Sequence, residues 1–396
     1  MTQTVKITVI GCGVVGACIA YELSALPNVE ITVLEARSQP GLGCSSAALG
    51  ICMGVISHKT KGRNWRLRSE SLKRYETLIP ELTAASTEHI PFNRQGIVKL
   101  CGIEETWESW QTLQTKRQHQ GYELDLWTLE QVQAQFPAVN YHTVQGAIYS
   151  PQDRQVDPLK LTQTLVKVCQ QRGVRFCFNT ALENLFPGLL NRNISDLHCS
   201  DLNFLDSDYI ILTAGIGNKA ITGETPHQPQ FQPVLGQAWE VSLPEPLWVG
   251  STDSEGSNHG IDRGVHPVLT GRDIHFAPLE NPPGNTSGQS PESRYWVGAT
   301  VEFPADQDPS DPIPSETIAA ELWQAATDLC PPLAEATIQR HWWGLRPRPL
   351  NQAAPVLQWS DTVKNLLWAT GHYRNGVFLA PGTALWVKDQ ILQKLG

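Results

Sequence analysis

Gly11, Gly13 and Gly16 stand in the order GxGxxG directly after the apolar run KITVI (6–10), and an acid, Glu35, closes the next apolar run, EITVL (30–34). Glycines at this spacing between a strand and a helix do phosphate chemistry. Gly11 permits a tight turn, Gly13 lets backbone approach a pyrophosphate, and Gly16 allows the helix to press against the strand. The helix N-terminus favours the phosphate charge, and Glu35 is suited to accept hydrogen bonds from ribose hydroxyls. An acid at this position fits an unphosphorylated ribose and disfavours NADP, leaving NAD and FAD both open. Next comes GLGCSSAALGICMG (41–54), a run of small residues past which a flat ring could lie, or equally the start of a packed helix.

These groups require a β-α-β frame, and the pattern supplies it: a strand over 6–10, a helix over 14–26 and a strand over 30–34. An amphipathic helix with a basic outer face is expected over 64–82. Residues 96–100 and 146–150 read as strands around a polar helical stretch, 157–173 as a helix, and 175–179 and 209–215 as strands. From Pro226 to about Arg340 the chain is rich in Pro, Gly and short β-like pieces such as 236–241 and 294–301, the composition of a mostly antiparallel sheet. Residues 281–293 (NPPGNTSGQSPES) read as an exposed loop. A strand over 365–371 leads into a closing loop and helix.

At 396 residues with net charge −9, two domains and small-molecule chemistry are expected, rather than nucleic acid or an anionic membrane. No apolar run reaches the ~18 residues of a membrane span. The nine cysteines show no metal-ligand spacing, so no metal site and reduced thiols in a cytoplasmic protein are expected.

The fingerprint, the small-residue run, QGIVKL (95–100), DRQVDP (153–158), ILTAGIGN (211–218), VLGQ (234–237), WVGAT (296–300), WWGLRP (342–347) and GHYRNGVFLAPGTA (371–384) together resemble the D-amino acid oxidase superfamily, and within it the glycine oxidases of thiamine biosynthesis. The similarity runs end to end in the family's order. It implies an α/β fold, with a Rossmann-type domain from 1–80, 151–222 and 341–396 and an inserted α+β substrate domain from 81–150 and 223–340. It further implies non-covalent FAD, a small amino acid or amine as substrate, dioxygen as acceptor and a homo-oligomer.

Carried over by residue, the resemblance assigns Gly11, Gly13, Val14, Val15 and Gly16 to the first turn around FAD. Glu35 and Ala36 fall at the ribose, Cys44 and Ser45 near the pyrophosphate, Leu49, Gly50 and Ile51 by the ring, and Ala181 by the adenine. His372, Tyr373, Arg374, Asn375, Gly376, Val377 and Phe378 wrap the pyrimidine end of the flavin. Arg346 matches the arginine that holds the substrate carboxylate, a task suited to a guanidinium's paired donors. Arg374 matches a second active-site arginine. His275 stands where the family usually has a pocket tyrosine, and Arg348–Leu357 lacks an acid common after GLRP. Trp296, Trp342 and Trp343 either crowd the site or pack. Cys330 does not match the family's site of covalent flavin attachment. Alternatives are a sarcosine oxidase or D-amino acid dehydrogenase using another acceptor, a nucleotide-binding module associated with tRNA modification, and a plain NAD dehydrogenase.

Overall fold

The computed structural model describes residues 4–182, 207–222, 228–249, 265–280, 293–304 and 312–396. Two large sheets organise them. The first has six strands in the order Val356–Trp359, Leu366–Thr370, Tyr209–Leu212, Val5–Ile10, Val29–Leu34, Arg175–Cys177. All its pairings are parallel except the edge pair formed by Val356–Trp359 and Leu366–Thr370. Central parallel strands must be apolar on both faces. Accordingly Ile7 and Val9 pack with the helix Val14–Leu23 in one core, while Ile10 joins Leu34, Ile210, Leu212 and Trp368 in another. Val14–Leu23 is buried along its whole length. It lies among the helices Gly62–Ser86, Pro158–Gln171 and Gly376–Leu395.

The second sheet has eight strands in the order Thr337–Pro349, Phe231–Leu243, Ser293–Gly298, Ile274–Pro278, Val268–Gly271, Ile97–Gly102, Val144–Ser150, Asp125–Thr128. It is antiparallel apart from the pairing of Val268–Gly271 with Ile97–Gly102. Its side chains alternate in role, as strand geometry requires. Val98, Leu269, Ile274, Phe276, Val297, Trp239 and Val241 pack with Ala319, Ala326 and Leu329 of the helix Glu316–Leu329. The intervening residues face the other way. There the register aligns Lys99, Thr270, His275, Gly298 and Ala238 across five neighbouring strands.

The expected elements are present, with shifts at their ends. The first helix stops at Leu23, where the Ser24 N–H bonds the Ala20 carbonyl, rather than reaching Leu26. The second helix runs Gly62–Ser86 and continues through Pro80. The polar stretch after residue 100 is two helices, Trp107–His119 and Leu129–Gln135, separated by a strand. Boundaries expected at 80 and 341 fall inside the helix Gly62–Ser86 and the strand Thr337–Pro349, because each element runs on to complete its packing. Of the loop expected over 281–293, residues 281–292 lie outside the described residues, and Ser293 opens a strand.

Candidate active site

The first strand leads into its helix through Gly11, whose φ of +101° and contact distance leave no room for a side chain: a Cβ would stand 2.8 Å from the Ala214 Cα. A Cβ on Gly16 would lie 2.0 Å from the Gly11 carbonyl oxygen, so the helix docks on the turn only because that residue is glycine. The Val14 N–H donates to Ser45 Oγ at 3.0 Å, which ties the small-residue run to the helix N-terminus. Glu35 is oriented by two backbone donors, Cys12 N–H at 2.7 Å and Arg37 N–H at 3.0 Å. Its carboxylate borders the cavity that opens there.

That cavity measures about 1400 Å³. It exceeds the ~300–1,000 Å³ usual for a single compact ligand and suits a dinucleotide with a substrate beside it. Its lining includes Gly11, Gly13, Glu35, Ala36 and Ala181, together with residues from the stretches 44–51 and 372–378. Every cofactor-binding residue expected from sequence lines it except Gly16, which sits behind the turn. A helix N-terminus at Gly376 borders the far end. The glycine cradle, the oriented acid and the elongated cavity fit FAD.

The wall around Leu49–Ile51 is held from behind. Asp153, fully buried, accepts the N–H groups of Gly54, Val55 and Ile56 at 2.6, 2.8 and 3.0 Å. Burial pushes its carboxyl up, and these donors oppose the shift. Arg117, equally buried, donates to the Val55 carbonyl at 2.7 Å. Opposite them, His372 is buried with Nε2 2.9 Å from Thr383 Oγ1, and desolvation pushes the imidazole down to about 3. His372 is therefore neutral, a structural member of the loop.

On the eight-stranded sheet, the Arg346 guanidinium lies over Gly236, and its Nη1 donates to the carbonyls of Leu235 at 3.2 Å and Thr300 at 2.9 Å. Among the described residues no carboxylate is paired with it. Glu302 braces the Thr300 turn from behind: its carboxylate accepts from the Thr300 hydroxyl, from Gln237 Nε2 at 2.9 Å and from the Ser315 N–H at 2.9 Å. His275 borders the same cavity with Nδ1 buried and without a partner. Arg374 stands 3.9 Å from Asp273, which is exposed in the turn between two strands of the second sheet.

Trp343 lines the cavity, whereas Trp342 donates to the Ala47 carbonyl at 3.1 Å and Trp296 to Glu240 at 3.2 Å, both as packing residues. Cys330 is in the core on the opposite face of the eight-stranded sheet. Sequence reasoning missed Thr270, Arg272, Asp273 and the Lys99–Glu105 ion pair, with N–O distances of 2.7 and 2.8 Å, all on the cavity wall. Alternation along 97–102 and 268–271 carried a faint signal of their facing. Among the described residues, no group of three or more metal-ligating side chains is placed to hold a metal ion, and no helix is long and apolar enough to cross a membrane.

A glycine-cradled parallel sheet joined to a mostly antiparallel sheet over one long cavity defines a flavin-dependent oxidoreductase. The chain matches the FAD dependent oxidoreductase family (DAO) over residues 6–390 and belongs to it. It is 26% identical to the bifunctional protein ThiO/ThiG of Trichormus variabilis over 99% of this chain and 53% of that protein. It thus spans about half the length of the bifunctional relatives it matches. It is 22% identical to a glycine oxidase of Geobacillus kaustophilus over 100% of this chain and 94% of that one. The crystal structure of glycine oxidase from Geobacillus kaustophilus superposes with a TM-score of 0.78 at 23% identity, covering 98% of this chain and 95% of that chain. Iminodiacetate oxidase from Chelativorans sp. BNC1 gives 0.74 at 21% identity, covering 98% and 95%. These likenesses carry the fold.

Proposed function

We propose that the protein oxidises the C–N bond of a small amino acid or secondary amine, in the manner of a glycine oxidase, with non-covalent FAD and dioxygen as final acceptor. One observation carries the reading: Arg346 is a guanidinium fixed on two backbone carbonyls in the cavity wall, without a carboxylate partner among the described residues. A half-buried cation so arranged suits a ligand carboxylate. Arg374 is at the cavity mouth and draws the same group inward.

When bound, FAD supplies the two-electron acceptor for a hydride. In the proposed reaction the substrate loses a hydride from Cα and a proton from nitrogen, so that C–N becomes C=N. Water then adds to the imine, giving an oxo acid with ammonia from a primary amine or the corresponding primary amine from a secondary one, and dioxygen with two electrons and two protons gives hydrogen peroxide. The protein's part is orientation and exclusion of water. Arg346 fixes the carboxylate, Gly236 makes room for the guanidinium, and Thr300 and Glu302 hold its direction. The neutral amine's own lone pair assists the hydride's departure, so no side chain need remove a proton from carbon.

We assign FAD contacts to the six-stranded half and substrate contacts to the eight-stranded half, with Arg374 shared. The test is an anaerobic absorbance spectrum of the purified holoprotein, with additions of glycine, sarcosine and D-amino acids. Flavin bands that bleach with one of them support the reading. Bands that persist with all of them refute the substrate class, and bands that bleach but do not return when oxygen is admitted point to a dehydrogenase.

A further inference from the structure

Arg68 belongs to the buried face of the helix Gly62–Ser86 and is only 9% exposed, yet among the described residues it has no carboxylate partner. Its Nε is buried without a hydrogen-bond partner, and its one hydrogen bond runs from Nη2 to Asn375 Oδ1 at 3.5 Å, the long limit for such a contact. The guanidinium carbon lies 5.8 Å from the centre of the Phe378 ring. Asn375 and Phe378 line the cavity and Arg68 does not, so the cation stands one side chain behind the wall.

This is an unfavourable place for a positive charge on three counts. The first is burial, which pushes the guanidinium down from its ordinary value, although an arginine remains charged at neutral pH. The second is the helix Gly376–Leu395, whose positive N-terminal end follows directly on Asn375. The third is the lack of an acid to neutralise it. Asp153 opposes the effect of burial, but its oxygens accept the N–H groups of Gly54, Val55 and Ile56. The other buried arginine of this region, Arg117, is used differently, since it donates to the carbonyls of Val55 and Gly54. An uncompensated buried cation is costly, so negative charge that develops beside it is stabilised strongly.

We propose that Arg68 is a positioning residue for charge on the flavin: from behind Asn375 and Phe378 it favours the reduced, negatively charged ring over the oxidised, neutral one. This inference rests on the reading above for the ring's place beside residues 372–378, and not on the identity of the amine. A hydride brings two electrons and one proton to a neutral ring, so the product carries one negative charge that the reactant lacks. A fixed cation therefore stabilises the product more than the reactant. The helix N-terminus acts in the same direction with partial charge, and Arg68 adds a whole one.

The experiment measures the flavin's reduction potential in wild type, Arg68→Met, Arg68→Gln and Arg68→Lys holoenzymes, reduced by dithionite against a reference dye, so that no substrate is needed. Arg68→Met and Arg68→Gln are expected to shift the equilibrium about tenfold or more toward oxidised flavin, which is ~30 mV for a two-electron couple. Arg68→Gln retains a donor for Asn375, which separates charge from hydrogen bonding. Arg68→Lys retains the charge and is expected to stay within about threefold of wild type. Fully reduced wild type is expected to show the spectrum of the anionic ring at pH 6.

An unchanged potential in Arg68→Met, a wild-type potential in Arg68→Gln, or a shift in Arg68→Lys as large as that in Arg68→Met overturns the proposal. Where a neutral variant releases its flavin, the wild-type spectrum decides, and a neutral reduced ring at pH 6 overturns the proposal without any variant. A potential that falls with the charge while no amine bleaches the bands keeps this inference and refutes the reaction. Bleaching by an amine with a potential indifferent to Arg68 does the reverse.

Discussion

Gly236 lies directly beneath the Arg346 guanidinium: a Cβ at position 236 would stand 2.2 Å from Nη2 and 2.5 Å from Nη1. The two residues sit on neighbouring strands, two register positions apart, since Gly236 is opposite Gly344 and Arg346 opposite Val234. The absence of a side chain at 236 thus determines where the cation rests. Gly236→Ala is expected to displace the guanidinium and raise KM for the amine about 10–100-fold while the protein remains yellow, because the change is at the substrate end only. Steady-state kinetics with flavin content measured in parallel checks this, and an unchanged KM would detach Arg346 from carboxylate binding.

Arg346→Lys retains the charge but gives up the planar pair of donors and the hold on the Leu235 and Thr300 carbonyls. Its KM is expected to rise on the order of 100-fold, in line with ~2–5 kcal/mol for truncating one partner of a buried charge pair. Acetate should lose affinity to a similar degree in a spectral titration.

Gly16→Ala and Glu35→Gln test the other end of the cavity in different ways. The first drives a methyl to 2.0 Å from the Gly11 carbonyl oxygen, inside any permitted contact, and is expected to yield a protein with a lowered Tm and little bound flavin. Glu35→Gln keeps the shape but replaces an acceptor-only carboxylate with an amide. It is expected to fold normally and bind FAD about tenfold more weakly in apoprotein reconstitution.

Stability should decline on the acid side. His266 is buried between the Pro267 carbonyl, 2.8 Å from Nδ1, and the Tyr295 hydroxyl, 2.7 Å from Nε2. Desolvation pushes His266 down to about 4, and His372 down to about 3. Above the ordinary histidine value of ~6.5, neither folded nor unfolded chain is protonated at these sites. As pH falls below ~6.5 the unfolded chain gains a proton at each, and the folded chain refuses it until about 4 and about 3, so folding stability drops through that window. The expected loss is on the order of 2 kcal/mol or more per histidine, using ~1.4 kcal/mol per pKa unit. Thermal melts at pH 7.5, 6 and 5 should show it, and His266→Gln should flatten the slope. A slope identical in the variant would place the acid sensitivity at other groups.

The cofactor half was readable where its signals are local. Gly11, Gly13, Gly16 and Glu35 lie within 25 residues at a spacing set by one turn and one crossover, so strand, helix and acid could be assigned from the chain alone. The eight-stranded sheet obeys through-space pairings that no short window contains. Gly236 and Arg346 are 110 positions apart, and Lys99, Thr270 and His275 become a row only once three strands pair. Asp153 could be quoted as part of a motif, but its work of pinning Gly54 to Ile56 depends on a contact across about 100 residues. The ends of the helix Gly62–Ser86 and of the strand Thr337–Pro349 were hidden for a related reason, since both elements extend to meet partners remote in sequence.

The central strand Val5–Ile10 is flanked by Tyr209–Leu212, and among the described residues that strand's far edge is paired by Leu366–Thr370. Of the helices that lie against the fingerprint helix, Gly376–Leu395 comes last in the chain. A nascent chain that has just released its glycine signature from the ribosome therefore holds a fragment with an open sheet edge and an uncovered apolar helix. It acquires a receptacle for the flavin only after translation has passed residue 378. Grafting the first 40 residues onto another scaffold would transfer the recognisable motif without the binding property.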